Sequence, residues 1–389
     1  MTIKKADDHF HIVNEECVPS VWLRMFTHLS STWIFKRITI QWVIRVITKI
    51  MPGNSFELAY QMVALFSKKL YGVADAYREE AEKANIIISI PLMMDLEYAT
   101  NDHQPPAIPY THQVEIMSNI SRQHFGVLCP FFGFDPRRKE NFKSQGMSNG
   151  RELPKPLYVK AVEDMGFYGF KFYTKLGVHP WFDSPINSEE VNDALYEFYE
   201  YCEEEQIPIV THCSSGGAYS EALVNNEEAR NILCHPTAWI RVLEAFPKLR
   251  LMLSHFGWPK ESIELMLKYK NVFADLAYND DAFSDTKEYF KFLNNLPAEV
   301  LSKIAWGSDW PMIRHTWTVS QYAKPFEKYI DKHLQQAIFL DNLLAFLFGP
   351  SYTIKQEILN ALGKTKDDIP KVLAQELKRV KKERVSDGN

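Results

Sequence analysis

Short apolar runs rich in β-branched and aromatic residues recur along the chain, and each stops on polar or glycine-rich sequence. "NIIISIPLMM" (85–94), "FGVLCPFFGF" (125–134), "GFYGFKFY" (166–173), "IPIVTHCSSGG" from Ile207, "LRLMLSHFGWP" from Leu249, "NVFADLAY" from Asn271 and "KIAWGSDWP" from Lys303 have the length and composition of strands buried on both faces. An N-terminal run counted from residue 3 brings the expected strands to eight. Between them the patterning is helical. "SEEVNDALYEFYEYCEEEQ" opens on Ser188 and acidic residues, as a helix N-terminus should, and "HPTAWIRVLEAFPK" stops at Pro247. Strand alternating with helix predicts a parallel sheet, and eight repeats predict an α/β (β/α)8 TIM barrel.

Two segments exceed that plan. Residues 14–84, between the first two strands, are about twice the usual connection, and within them Ile34, Ile38, Trp42, Val46 and Ile50 recur every fourth position beside a stripe of Arg37, Gln41, Arg45 and Lys49. This predicts an amphipathic helix. Charges at Arg24, Lys36, Arg37, Arg45 and Lys49 keep every apolar stretch short of the roughly 18 residues that span a bilayer. A lid over the barrel mouth is the first expectation, ahead of a dimer surface or a helix lying on an anionic membrane. From 351 onward "TIKQEILNALG" and "DDIPKVLAQELKRVKKERV" predict two more helices, the second with Pro370 in its first turn. The expected organisation is a barrel over 1–350 that includes the helical insertion 14–84, and a C-terminal helical extension over 351–389. The Gly-, Ser- and Pro-rich segment 143–156 is the expected mobile loop.

Chemistry collects at the strand tips. In "ADDHFHIV", strand alternation puts Asp7, His9 and His11 on one side and Asp8 with Phe10 on the other, so both imidazoles can face one ion. Two β-branched runs end on His212 and His255, and a third run delivers Asp309 after Gly307 and Ser308. A single histidine after a strand is ordinary. Several at the same end of parallel strands are what a barrel needs to assemble a cation site at its catalytic face.

These residues resemble the amidohydrolase superfamily, in the branch that contains aminocarboxymuconate-semialdehyde decarboxylase. The resemblance runs from residue 3 to about 349 and is carried by "DDHFH", "FDPRR" (134–138), "GFYGFKFY", "IPIVTHC", "LEAFPKLRLMLSHFGWP", "WGSDWP" and "DNLLAFLFG" (341–349). It implies one divalent cation, zinc first with manganese or iron as alternatives, held by His9, His11, His212 and Asp309, with His255 facing the substrate. It also implies Asp309 as proton shuttle and His255 as acid, base or oxyanion partner. Lys171 stands where binuclear relatives carry a bridging carbamylated lysine; the other readings are an ion pair at the barrel mouth or a contact to an anionic substrate. Tyr173, Trp258, Trp310 and Arg314 are expected to line a substrate pocket.

Composition sets outer limits. With 389 residues and 46% hydrophobic content, the chain can bury a large core. A net charge of −5 leaves no footprint for nucleic acid. Cys17, Cys129, Cys202, Cys213 and Cys234 have no metal-ligand spacing and make an odd set, which points to a reducing, cytoplasmic setting. The N-terminus lacks the apolar core of a secretion signal. The expected partner is a small molecule, with homo-oligomerisation open. The expected reaction is hydrolysis of a lactone, ester or amide of a small, cyclic or carboxylate-bearing substrate. Decarboxylation of an unsaturated or aromatic acid is the alternative, and a binding protein without catalysis is the third possibility.

Overall fold

The computed structural model describes residues 3–20, 64–141, 155–279 and 281–386. Eight strands, β1 (Lys5–Phe10), β2 (Ile86–Pro91), β3 (Phe131–Phe134), β4 (Gly169–Phe172), β5 (Ile209–His212), β6 (Leu251–Ser254), β7 (Val272–Asp275) and β8 (Ile304–Ala305), lie parallel in chain order. β1 pairs with β2, and β3 to β8 form a continuous ladder. Single parallel bridges join the two groups, Ser89 to Leu128 and Leu92 to Phe131 on one side and Phe10 to Trp310 on the other. The result is a (β/α)8 barrel with two thinly bonded seams. Each strand falls inside an expected apolar run, trimmed where chemistry demands; Pro130, with no N–H to offer, precedes the start of β3.

Helices α1 (Leu70–Lys83), α2 (Tyr110–Gln123), α3 (Leu157–Glu163), α4 (Glu189–Glu204), α5 (Ile240–Ala245), α6 (Pro259–Lys268), α7 (Thr286–Asn294) and α8 (Val319–Tyr329) surround the strands. The Ser188 side chain accepts from Val191 N at the start of α4, and Glu189 and Glu190 face the positive end of its dipole. The two C-terminal helices, α9 (Gln356–Leu362) and α10 (Lys371–Ser386), pack near the beginnings of the strands. Leu362 lies against Gly166, Pro370 against Gly126, and Glu376 pairs with Lys4 at 2.8 Å. The helix expected over 34–50, and residues 143–154 of the expected mobile loop, lie outside the described residues. Among the described residues no single helix is long and apolar enough to cross a membrane. All five cysteines are free and buried.

Three buried cations fasten the N-terminal end of the barrel. Lys5 Nζ donates to Ala84 O at 2.7 Å, Lys303 Nζ to Met266 O at 2.5 Å and Tyr269 O at 3.4 Å, and Arg250 to Phe346 O at 2.6 Å and to Gln206 O. Each cation stands at the start of a strand or just before it and satisfies carbonyls left over at helix C-termini. With water excluded, those carbonyls need these donors. Burial lowers Arg250 to about 10, yet it stays charged at neutral pH.

At the β1–β8 seam a buried carboxylate does comparable work. Asp7 accepts from Ser308 N at 2.8 Å, from Ser308 Oγ at 2.6 Å and from Tyr77 OH of α1 at 2.8 Å. Tyr77 also stacks on Phe10, with ring centroids 3.6 Å apart. Asp7 and Phe10 therefore share the side facing α1, which corrects the alternation read from the sequence. The cause is a slip in the β1–β2 register between Asp7 and Phe10.

Two outcomes follow for stability. Lys303→Met strands the carbonyls of Met266 and Tyr269, and should lower the midpoint of thermal unfolding by the equivalent of about 1–3 kcal/mol with the native circular dichroism spectrum retained. Burial raises Asp7 from 3.8 to about 6, against its hydrogen bonds from Ser308, Tyr77 and His9, which lower it. Because the folded value lies above the unfolded one, its stabilising contribution is complete below pH 3.8 and is lost as pH rises through 6. Denaturant midpoints measured from pH 4 to pH 7 should thus favour Asp7→Asn over the parent increasingly as pH rises, by up to about 3 kcal/mol.

Candidate metal centre

The strand tips turn four imidazoles and one carboxylate toward a common space. Each imidazole has one nitrogen fixed on the protein. His9 Nδ1 meets Asp275 Oδ2 at 3.1 Å, His11 Nδ1 meets Leu92 O at 2.7 Å, His255 Nδ1 meets Ala277 O at 2.9 Å, and His212 Nε2 meets Gly216 O at 3.0 Å. Every one of these partners can only accept. The outer nitrogen of each neutral ring must carry the proton, which leaves a lone pair on Nε2 of His9, His11 and His255 and on Nδ1 of His212.

Those free nitrogens point at one another and at Asp309. His9 Nε2 lies 3.6 Å and His11 Nε2 3.3 Å from Asp309 Oδ1, and His255 Nε2 lies 3.2 Å from His212 Nδ1. Donor atoms of His9, His255 and Asp309 all fall within 4.8 Å of one another. Lone pairs facing at such distances repel unless a proton or a metal ion stands between them. Burial, and then the charge of Lys171, hold His9 well below the ordinary imidazole range; burial, then His255 and Lys171, do the same for His212. Burial alone would raise Asp309, but the imidazoles packed around it, His11 nearest and then His9 and His255, outweigh it, so its carboxyl sits below the ordinary range. Imidazoles with inward lone pairs around an ionised carboxylate form a donor set that fits zinc, manganese or iron.

The backbone is bent to make this possible. His255, Phe256, Trp258 and Asp309 have φ values of 69°, 46°, 44° and 58°, in the left-handed region that costs about 1–3 kcal/mol for most residues. Hydrogen bonds hold the bends. His255 N donates to Asp275 Oδ1 at 2.7 Å, and Asp309 N donates to His9 O at 2.6 Å. Gly307 is obligatory before Asp309, since a Cβ there would lie 2.0 Å from Asp8 Oδ1. Over His212, the turn 214–217 is drawn in by Lys175, whose ammonium donates to the carbonyls of Ser214, Ser215 and Gly216.

The other candidate residues divide into two groups. Lys171 is buried beside the centre, donates to Ser254 Oγ at 3.2 Å, and is lowered by burial to about 8 against the charges of Asp275, Asp309 and Asp8. Tyr173 stacks on His212 with centroids 4.6 Å apart. Trp258, three residues after His255, packs its ring on His235 at 4.8 Å. Trp310 and Arg314 are not brought to the centre. The Trp310 ring is fully buried against Tyr77, and Arg314 Nε donates to Glu80 at 2.8 Å, so both are engaged by α1. The sequence reading passes over Asp275, whose carboxylate carries both His9 and the backbone of His255. Its signal was available, as one acid inside the apolar run "NVFADLAY". Glu80 gave none.

The Amidohydrolase family model matches residues 120–348, more than half of the chain. No curated protein matches it in sequence. Among solved structures, an uncharacterised TIM-barrel protein from Bordetella bronchiseptica has a TM-score of 0.51 at 15% identity, covering 93% of this chain and 100% of that one. The 5-carboxyvanillate decarboxylase of Novosphingobium aromaticivorans, complexed with manganese and 4-hydroxy-3-methoxy-5-nitrobenzoic acid, reaches 0.55 at 10% identity over 89% of this chain and 96% of that one. An amidohydrolase from Burkholderia multivorans with bound HEPES gives 0.50 at 11% identity over 89% and 99%. These likenesses agree on the barrel. With the family match spanning the tips of β5, β6 and β8, the chain belongs to the Amidohydrolase family and is a metal-dependent enzyme.

Proposed function

We propose that the enzyme is a hydrolase of a lactone, ester or amide bond in a small substrate, cyclic or carboxylate-bearing, using one divalent cation held by His9, His11, His212 and Asp309. Zinc is the first choice of ion, with manganese or iron as alternatives. The observation that carries this reading is the convergence of lone pairs from rings whose outer nitrogens are all pinned. A divalent cation bound there supplies Lewis acidity and lowers the pKa of a bound water to about 7. Asp309, ionised and beside His11, is placed to accept a proton. His255 presents Nε2 to the same space while Ala277 O fixes its ring, so it can carry a proton to a leaving group or hydrogen-bond a developing oxyanion. Lys171 offers a buried amine to a substrate carboxylate, and Tyr173 and Trp258 supply aromatic walls.

Non-oxidative decarboxylation of an unsaturated or aromatic acid is the second reading. It is favoured by Lys171, a cation set among carboxylates where an acid substrate would need one, and by the manganese- and nitrobenzoate-bound decarboxylase that shares the fold.

Chelation should abolish turnover, and zinc or manganese should restore it. His212→Ala should lose bound metal. His255→Ala should keep its metal, read by elemental analysis, and lose about 100-fold or more in kcat, within the range of a general acid or base. Full activity in either variant would remove the role given to it. A panel of lactones, amides and aromatic acids assayed in 18O-labelled water separates the two reactions: label in the organic product marks hydrolysis, and release of carbon dioxide with an unlabelled organic product marks decarboxylation.

A further inference from the structure

The strand that should hold Asp309 is too short to do so. β8 has two residues, and its ladder ends at Ala305, well before the aspartate. On the N-terminal side, Ser308 is tied to Asp7, which is tied to Tyr77 of α1. On the C-terminal side, beyond the backbone bond from His11 N to Trp310 O at 2.6 Å, one carboxylate gathers three donors. Glu80 Oε1 accepts from Arg314 Nε at 2.8 Å and from Trp310 Nε1 at 3.4 Å, and Glu80 Oε2 accepts from Val319 N at 3.0 Å. Its side chain is only 11% exposed and that of Arg314 19%, so the pair is largely shielded from water.

We infer that Glu80 is a positioning residue for Asp309. Together with Tyr77, on the same face of α1 and nearly one turn away, it clamps both ends of the segment that presents the aspartate to the cation. The inference rests on the reading of Asp309 as a metal ligand. Glu80 touches no imidazole of the centre and acts only through the chain it holds. The three donors come from the beginning, middle and end of 310–319, so one carboxylate ties the return into α8 at three points. α1 closes the long insertion after β1. Its interior face thus serves the centre while the rest of the helix covers the barrel wall.

The test uses the full chain with cobalt(II) as the probe. Glu80→Gln removes the charge and keeps the shape. It should weaken cobalt affinity about tenfold or more, in the range seen when groups supporting metal ligands are replaced, and should change the visible absorption of the bound ion. Trp310→Phe, which deletes a single donor, should shift both in the same direction by less, and it serves if Glu80→Gln does not fold. Lys303→Met is the stability control, expected to lower the unfolding midpoint with cobalt affinity and spectrum unchanged. If Glu80→Gln behaves like Lys303→Met, Glu80 is a structural anchor and the inference fails. Asp309→Asn tests the underlying reading separately: unchanged cobalt affinity there would overturn the assignment of Asp309, and the role of Glu80 with it.

Discussion

Every ring at the centre is held by its outer nitrogen, and everything else in the structure depends on that. Four acceptors, one carboxylate and three backbone carbonyls, fix four tautomers, and each tautomer leaves a lone pair aimed inward. Rotating any ring would cost its anchor as well as its aim. The geometry is thus set by the scaffold, and the mutual repulsion of the inward atoms is borne by bonds made elsewhere. A surface cluster of histidines has no such restraint and would relax apart.

Asp275 shows how compactly this is arranged. One oxygen faces His9 Nδ1, and the other accepts from the backbone N–H groups of His255, at 2.7 Å, and Ala277, at 3.0 Å. The same carboxylate therefore orients a ring on β1 and the left-handed bend at the tip of β6. Ala277, fixed in this way, offers its carbonyl to His255 Nδ1. A backbone bent against its preference persists when its surroundings over-determine it, and here the determination comes from the group that also orients the neighbouring ring.

How much of this was legible in the sequence depends on the range of the interaction that carries it. His212 and His255 stand at the ends of apolar strands and Asp309 a short step beyond another, and the barrel turns that one-dimensional position into a shared rim, so the cluster could be read. Asp7 could not be placed by alternation, because the register slip in β1 moves it to the α1 side with Phe10. Arg314 follows Asp309 closely and looks free for a substrate, yet its partner lies on a helix from the other end of the chain. Glu80 sits among Glu79 and Glu82 in a helix rich in charge, and only the fold reveals which of the three turns inward.

The remaining tension is electrostatic. Asp8 is buried with neither oxygen hydrogen-bonded among the described residues, and burial, then Asp275 and Asp7, push it toward its neutral form while Lys171 opposes them. An unsatisfied buried group of this kind costs about 1–3 kcal/mol, and a core selected for stability alone would replace it. Inside this barrel Asp275 and Asp309 already outnumber the amine of Lys171, and for that reason Asp8 is driven toward its neutral form instead of adding charge. Such an excess is unfavourable to the fold by itself and favourable to a divalent cation at the strand tips. The polar interior beneath the histidines is therefore best understood as stability exchanged for affinity, with the hydrogen-bonded seams and the capped helix ends of the same barrel supplying the margin.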